Sequence, residues 1–430
     1  MANEGYTLEQ IDRRRRHIEN QITELALRGS GLVPTAEDKV EMLVLGEELF
    51  RMSDGRNELI FDKAGRPHIM VNFFCDEKAR LDYLSASNTL FNSADTSLQT
   101  PLHPAFIMDG TPIRGFRLAK YLMPRVSGVN YVASLYNLTP AYGSGGFSAS
   151  TQGAIAACYA SSTSTVNPDG EEVHLETLAE NSYLYLMGAR RAFECHGNTA
   201  YNRYHDDTTE QGSPAEYTYS YNKSTPQTRT GTGPLEWYHD GTPWGVTDLV
   251  GNMAEWCSGF RIKSGELQFL PNNDAGKAGI TPTDLSDTST LWKALKEDGS
   301  WVGANTDAES YKYDYLADIT SGSAAFCLCK TLEHQQSDDS PSGSVALKSM
   351  TAREGTTANA YLRVMGLFPL LANTPAGQAY MRNTSGVIKA VRRGGGWAGS
   401  STAGLGCTGC NNGMTNASDS IGARSASKIR

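Results

Sequence analysis

Two cysteines late in the chain have the spacing most suited to chemistry. Cys407 and Cys410 form a C-x-x-C pair, an arrangement found in redox thiols and as half of a zinc site. A tetrahedral zinc site needs two further ligands, and the sequence offers neither a second C-x-x-C nor a closely spaced histidine pair. The pair therefore does not by itself predict a zinc site, and the sequence leaves metal binding open.

Other groups able to do chemistry are dispersed. His174, His196, His205 and His239 share no ligand-like spacing, and each is better explained as a structural histidine. No nucleophile–base arrangement and no phosphate-binding loop is recognisable. We therefore predict no catalytic residue, and a protein that is not an enzyme.

The first helix predicted from the sequence covers residues 7–28. Thr7 and Gln10 have the spacing of a capping box at its start. Ile11, Ile18, Ile22 and Leu25 form one apolar stripe, which needs a partner. That partner is either a neighbouring subunit or the rest of the same domain, and the sequence alone does not choose between them.

Further elements follow from periodicity and turn residues. We predict the following: a helix from Ala36 to about Arg51, strands at Glu58–Phe61 and His68–Phe74, a hairpin around Asp109-Gly110, a loop over 140–153, a helix over 175–191 and long polar loops over 196–236.

The net charge and the hydropathy pattern argue against nucleic acid and membranes as partners. The net charge of -9 argues against nucleic acid, since the only basic run, Arg13 to Arg16, falls in a predicted helix. No stretch has the apolar length of a signal core or a membrane span. We expect synthesis in the bacterial cytoplasm and no membrane insertion.

Three motifs carry a family resemblance. Residues 248–256 read DLVGNMAEW, residues 393–397 read RGGGW and residues 421–424 read IGAR. In this order they resemble the C-type lectin fold of the formylglycine-generating-enzyme type. His174-Leu175, Thr230–Gly233, Trp237–Gly241 and Tyr361–Pro369 resemble one branch of it, the variable proteins of diversity-generating retroelements.

The resemblance implies an α+β, C-type-lectin-like fold, rich in loops, with short twisted antiparallel sheets and few helices. It covers residues 99–430, with an insertion at about 270–390 and a variable region at about 393–426. Residues 1–98 match nothing in the family, and we expect a small N-terminal domain for attachment or oligomerisation.

The motifs also imply a rigid scaffold. Trp256 and Trp397 are suited to anchor a core. Asn252 and Glu255 stand among apolar residues, so they should be buried and hydrogen-bonded, and Arg424 could pair with Glu255. The resemblance implies no cofactor other than a structural calcium ion near the motif. The full scaffold set is Asp248, Gly251, Asn252, Glu255, Trp256, Gly395, Trp397, Ile421, Gly422 and Arg424.

The segment 398–420 carries the functional argument. It contains no Lys, Arg, Glu or Gln. Retroelements of this family randomise adenines in AAY codons, which can become Ser, Thr, Gly, Ala, Cys or Asp but never Lys, Glu, Gln, Trp or Met. Met414 is the exception in this segment and should be fixed. The predicted variable, ligand-binding positions are Ala398, Gly399, Ser401, Thr402, Thr408, Gly409, Thr415, Asn416, Ala417 and Asp419, with Cys407, Cys410 and Ser420 less clearly assigned.

The implied function is recognition of a host-surface protein or glycan by a bacteriophage tail-fibre protein. The implied partners are other tail proteins and copies of the chain itself, with a trimer favoured, and the implied location is the virion. The alternative is an oxidase like the formylglycine-generating enzymes, which would use the late cysteine pair, or another enzyme of the same fold.

Overall fold

The computed structural model describes residues 6–216, 225–319 and 321–430 and has an α+β architecture. Thr7 caps the first helix, and the reciprocal capping box with Gln10 is confirmed. The predicted helix over 175–191 begins three residues later, at Leu178, while a helix that starts inside the predicted loop 140–153 was missed. The α-helices are α1 (Leu8–Arg28), α2 (Ala36–Met52), α3 (Leu81–Ser85), α4 (Thr151–Ser162), α5 (Leu178–Arg191) and α6 (Ala360–Val364).

The strands are short, as the polar, glycine-rich sequence favours, and most pair antiparallel. In the first half they are β1 (Asn57–Phe61), β2 (Pro67–Phe74), β3 (Ile107–Met108), β4 (Thr111–Pro112), β5 (Gly115–Ala119), β6 (Pro124–Val126), β7 (Val129–Asn130), β8 (Thr139–Pro140) and β9 (His174–Leu175). In the second half they are β10 (Ala254–Lys263), β11 (Glu266–Phe269), β12 (Lys293–Leu295), β13 (Trp301–Gly303), β14 (Lys312–Tyr315), β15 (Ser323–Ala324), β16 (Phe326–Cys329), β17 (Ser342–Ala346), β18 (Thr351–Ala352), β19 (Gln378–Met381), β20 (Ile388–Gly394), β21 (Gly404–Asn412), β22 (Ile421–Ala423) and β23 (Ser425–Lys428).

Two sheets position the site. The first has the order β1-β2-β5-β23-β9. The second has the order β15-β17-β19-β21-β20-β10-β11-β14-β16-β18, with β12, β13 and β22 attached beside this path. The pairs β10–β22, β15–β17, β16–β18 and β19–β21 are parallel, so the larger sheet is mixed rather than purely antiparallel. The hairpin predicted at Asp109-Gly110 is confirmed as β3–β4.

The first 98 residues do not form a domain of their own. Strand β2 pairs with β5 from Met70↔Ala119 to Phe74↔Gly115, and β5 in turn pairs with β23. The expected boundary at residue 98 is therefore wrong as a structural division, because the first sheet is completed by strands from both ends of the chain.

The apolar stripe of α1 packs inside its own chain. Ile18 and Ile22 are buried in a cluster that includes Tyr121, Leu135 and Trp244. Glu19, on the same helix, accepts a hydrogen bond from the Lys120 ammonium at 2.8 Å. Of the two alternatives for this stripe, the structure contains the second, so these apolar residues are not free to contact a neighbouring subunit.

The main core lies between α5 and the larger sheet. It includes Tyr185 and Leu186 from α5 and Phe260 and Ile262 from β10. Within the described residues, no helix is long and apolar enough to cross a membrane.

Candidate ligand-binding surface

The DLVGNMAEW loop has a backbone that constrains its residue types. Asp248, Gly251 and Asn252 have φ values of 59°, 69° and 54°, in the left-handed region that Asn, Asp and Gly tolerate best. A Cβ at Gly251 would lie 2.1 Å from the carbonyl oxygen of Asn198, so only glycine fits there. Asp248 accepts a hydrogen bond from the Gly231 N–H at 2.9 Å, and burial raises the pKa of its carboxyl.

Asn252 ties this loop to two other segments. Its side-chain oxygen accepts from the Thr228 N–H at 3.0 Å, and its amide donates to the Thr228 carbonyl at 3.1 Å. Its backbone carbonyl accepts from the Trp397 N–H at 3.0 Å. The expectation that Asn252 is buried and hydrogen-bonded is confirmed, and it links the polar loops after residue 196 to the start of the variable region.

Glu255 and Arg424 form a buried, two-pronged ion pair. The Arg424 Nε and Nη2 donate to the two carboxylate oxygens at 2.7 and 2.9 Å, which confirms the expected partner. The remaining donors of Arg424 reach the carbonyls of Ala119, Lys120 and Thr247 at 2.7 to 3.0 Å. Burial raises the pKa of Glu255, and the Arg424 charge opposes that shift.

Two buried tryptophans, Trp256 and Trp397, anchor the residues that support the segment 398–420. Trp256 is fully buried, and its indole N–H donates to the Ala149 carbonyl at 3.1 Å. Trp397 packs against Leu122 and Met253, and its indole N–H donates to the Asp419 carbonyl at 3.0 Å. Trp397 therefore joins the first residues of the variable region to its last ones.

Two glycines of the scaffold set allow close packing beside these anchors. Gly395 has a φ of 81°, and a Cβ there would lie 2.8 Å from the Cβ of Ala403. Gly422 lies in β22, next to Ile421, and a Cβ there would approach the Met253 side chain at 3.1 Å. Strand β22 pairs parallel with β10, which fixes the end of the variable region against the motif strand.

Eight of the ten predicted variable positions lie at the surface. Gly399, Thr402, Ala417 and Asp419 are half-buried. Four side chains are exposed, and we name them the exposed variable positions: Ala398, Ser401, Thr415 and Asn416. They lie on the turns at either end of β21, where side chains can change without entering the core.

Thr408 does not belong to this surface. Its hydroxyl accepts a hydrogen bond from the buried Arg393 guanidinium, which also donates to the Gly366 and Leu405 carbonyls at 3.1 and 2.9 Å. The prediction that Thr408 faces solvent is wrong. Because β21 is a strand, its side chains alternate, so Thr408 and Cys410 face the core while Cys407 faces outward.

Gly409 is also buried, and an Arg392 side chain lies across it. A Cβ at Gly409 would lie 2.6 Å from the Arg392 Nε and 2.9 Å from its Cγ. Any larger residue would have to displace this arginine. The prediction of free variation at Gly409 is therefore corrected: it faces the surface, but its side-chain space is occupied.

A cleft of about 180 Å³ opens beside this arginine. Its walls combine predicted variable residues with two residues that the sequence reasoning missed, Tyr380 and Arg392. Strand pairing places them there, and no local motif signals it. We call this site the β21 cleft, and it is lined by Ala254, Tyr380, Arg392, Gly395, Gly396, Gly399, Thr402, Cys407, Gly409, Ser420 and Ile421.

The late cysteine pair is not arranged for catalysis. Both thiols are free and buried, and they point to opposite faces of β21. Burial raises the pKa of Cys407, and it raises the pKa of Cys410 to about 12, so both are neutral thiols near pH 7. Within the described residues, no group of three or more His, Cys, Asp or Glu side chains could hold a metal ion.

The motif residues do not fit a calcium ion in this arrangement. Both carboxylate oxygens of Glu255 accept from Arg424. The side-chain oxygen of Asn252 accepts from Thr228 and also from the Asn198 amide at 3.3 Å. Calcium binds through oxygen ligands, and these oxygens are already used by N–H donors.

Comparisons with known proteins find likeness among solved structures and not among family models or curated sequences. No protein-family model matches the chain, and no curated protein does. Among solved structures, the chain is similar to one described as Treponema denticola variable protein 1, with 12% identity and a TM-score of 0.29 over 87% of this chain and 99% of that one. A likeness at this level does not establish a shared fold or family.

Proposed function

We propose that this protein binds ligands through a surface diversified by a retroelement, on a C-type-lectin-like fold of the formylglycine-generating-enzyme type. One observation carries the proposal, a contrast within a single short segment. Trp397, Ile421 and Arg424 are buried and bonded into the scaffold, whereas the exposed variable positions point to solvent. Such a segment can change its surface chemistry while its backbone stays fixed.

The hydrogen bonds at the two ends of the segment support this proposal. The backbone N–H of Trp397 donates to the Asn252 carbonyl and holds the start of the segment to the motif loop. The indole N–H of Trp397 donates to the Asp419 carbonyl and so joins the start of the segment to its end. Arg424 then fixes the chain directly after β22. None of these contacts uses the side chain of an exposed variable position.

The proposed ligand is a protein or glycan on a host bacterium, and the proposed setting is the tail of a bacteriophage virion. The side chains of segment 398–420 are mostly small, so a single binding site would be shallow and its affinity low. Several copies on one particle would then bind together, since linked sites gain affinity through high effective concentration. This setting is proposed from the resemblance and from the surface chemistry.

A binding protein is favoured over the alternative oxidase by the state of the thiols. An oxidase would need a reactive thiolate, and burial keeps Cys407 and Cys410 protonated near pH 7. Opposite-facing thiols also cannot act on one substrate from the same side of β21.

The proposal predicts a second copy of part of the gene. A DNA segment nearly identical to the one encoding about residues 393–426 should lie near this gene, beside a reverse transcriptase. The two copies should differ where the second copy has adenine. Sequencing the surrounding DNA checks this directly, and differences spread over all four bases would exclude diversification.

We also propose that residues 1–98 attach the protein to other tail proteins or to its own copies, through α2 instead of α1. Val40, Leu43, Val44 and Phe50 are exposed apolar residues on one side of α2, where they surround the exposed ion pair of Glu47 and Arg51, and Val44 is 66% exposed. At 3.6 residues per turn, these four side chains fall within roughly a third of the helix circumference. A face of this kind is typical of a contact surface.

Val44→Asp should therefore reduce the size of the assembly while leaving the fold intact, because a charge on this face opposes contact between copies. Light scattering of the full chain gives the mass, with a trimer expected for the unmodified protein. Leu316→Asp is the matched control, since Leu316 is 53% exposed and directly follows β14, a strand of the other sheet. An unmodified protein that is monomeric, or equal masses for the two variants, would exclude self-assembly through α2.

A further inference from the structure

The β21 cleft contains a positive charge held in a fixed place. Tyr380 on β19 and Arg392 on β20 both pair with Gly409 on β21, so the three residues form a row across adjacent strands. Because Gly409 has no side chain, the Arg392 side chain can lie flat across the strand toward Tyr380. Arg392 Nη2 donates to the side-chain oxygen of Asn411 at 3.0 Å, which orients the guanidinium.

Arg392 has no acidic partner among the residues that the structure describes. Other basic residues near it have more partners: Lys389 and Arg382 both contact Asp339, and Arg393 donates to several neutral oxygen acceptors. Arg392 is half-buried, and burial lowers the pKa of its guanidinium, which nonetheless stays charged at neutral pH. A partly desolvated charge with one neutral acceptor is stabilised by an incoming anion.

A second positive charge lies nearby. Arg382 follows Tyr380 by two residues, and its backbone N–H continues the ladder to the Cys410 carbonyl at 3.1 Å. The Arg382 Nε is buried without a hydrogen-bond partner, and its Nη1 reaches Asp339 only at 3.4 Å. The same carboxylate also pairs with Lys389, so one negative charge is shared between two positive charges.

The other walls of the cleft are suited to a small polyhydroxyl ring. Tyr380 contributes an aromatic side chain and several glycines leave the backbone open. The hydroxyl groups of Thr402 and Ser420 also belong to the lining, where they contact the Gly399 carbonyl and the Ser418 hydroxyl. An extended peptide usually binds by adding a strand to a free sheet edge. Strand β21 is paired on both sides, with β19 and β20, so it offers no such edge.

We propose that the β21 cleft binds the carboxylate of an acidic sugar residue, such as a uronic acid, with the Arg392 guanidinium as the carboxylate-binding group. This inference rests on the proposed function and names its ligand class. Arg392 precedes the predicted variable region, so the anion site stays constant while Gly399, Thr402 and their neighbours change. Diversification would then alter which linkage or neighbouring sugar is accepted, and the requirement for a carboxylate would persist.

The test measures binding of three small probes to the full chain by isothermal titration calorimetry: D-glucuronate, its methyl ester and D-glucose. We expect D-glucuronate to bind at least about tenfold more tightly than either neutral probe, since a charge-assisted pair is lost in both. Arg392→Gln should weaken glucuronate binding by about tenfold or more, because it removes the charge but retains a polar group. Arg13→Gln is the control, since Arg13 is 77% exposed and lies on α1.

Gly409→Ala is a second variant that keeps every charge. It should also weaken glucuronate binding, because the new Cβ displaces the Arg392 side chain. Thermal melts of all variants establish that they are folded. Equal binding of glucuronate and its methyl ester, or unchanged binding in Arg392→Gln, would overturn the proposal.

Two further probes separate the carboxyl sugar from other anions. Inorganic phosphate or a tetraglutamate peptide that binds as tightly as glucuronate, and depends on Arg392, would also overturn it. The adenine-specific gene copy is an independent observation. If that copy exists and glucuronate does not bind, only the sugar proposal fails; if glucuronate binds and the copy is absent, diversification fails.

Discussion

Arg424→Ala is expected to lower the free energy of unfolding by about 3–5 kcal/mol, the usual cost of removing one partner from a buried ion pair. The Glu255 carboxyl would be left buried with both oxygens deprived of their donors, and it would have either to remain charged without a partner or to take up a proton. The carbonyls of Ala119, Lys120 and Thr247 would lose donors as well. Because these carbonyls belong to segments on either side of the motif loop, the loss should affect the whole domain.

Urea denaturation followed by fluorescence measures this change, with Arg13→Ala as an exposed control expected to shift stability by under about 0.5 kcal/mol. Glu255→Gln should also destabilise the protein, since it leaves the Arg424 charge uncompensated. The double variant should be less destabilised than the sum of the two single changes, because the two residues act as a pair. Additive effects, or a loss in Arg424→Ala no larger than in the control, would contradict the assigned role.

Within the variable region, substitutions are expected to divide into two classes. Trp397→Ala should cost about 3–5 kcal/mol, because it empties a large aromatic site and removes the bond to the Asp419 carbonyl. Ser401→Tyr and Asn416→Ser should each change stability by under about 0.5 kcal/mol, as exposed positions do. The measurement is a series of thermal melts run beside binding to host cells.

Two threonines give a matched comparison for the same division. Thr408→Val should cost roughly 1–3 kcal/mol, since it removes an acceptor from the buried Arg393 guanidinium. Thr415→Val makes the same chemical change at an exposed position and should be nearly neutral. If both changes cost the same, the distinction between scaffold and surface within this segment does not hold.

Sequence reasoning succeeded where one local pattern determines the structure. The capping box at Thr7 depends on two residues three positions apart, and it formed as predicted. The pair of Glu255 and Arg424 was predictable because a buried carboxylate requires a partner and the IGAR motif contains one arginine.

The errors have a common physical cause. The composition of small residues gives no signal of a strand, so it predicts that Thr408 is at the surface. Strand β21 instead makes side chains alternate between its two faces and turns Thr408 inward. Arg392 and Tyr380 were missed because they meet only through strand pairing across Gly409. The prediction of an independent domain at 1–98 is wrong for a similar reason, since strand β2 pairs with β5, about forty residues later in the chain.

The position of β23 has a consequence for synthesis of the protein. This strand lies between β5 and β9, inside the sheet that begins with β1 and β2. Among the described residues no other strand joins β5 to β9, so the sheet stays incomplete until residue 428 has been synthesised. A stop codon or frameshift introduced within the variable region would remove a central strand from the opposite end of the chain. We therefore expect prematurely terminated variants to fail to fold, since they lack the strand that joins β5 to β9.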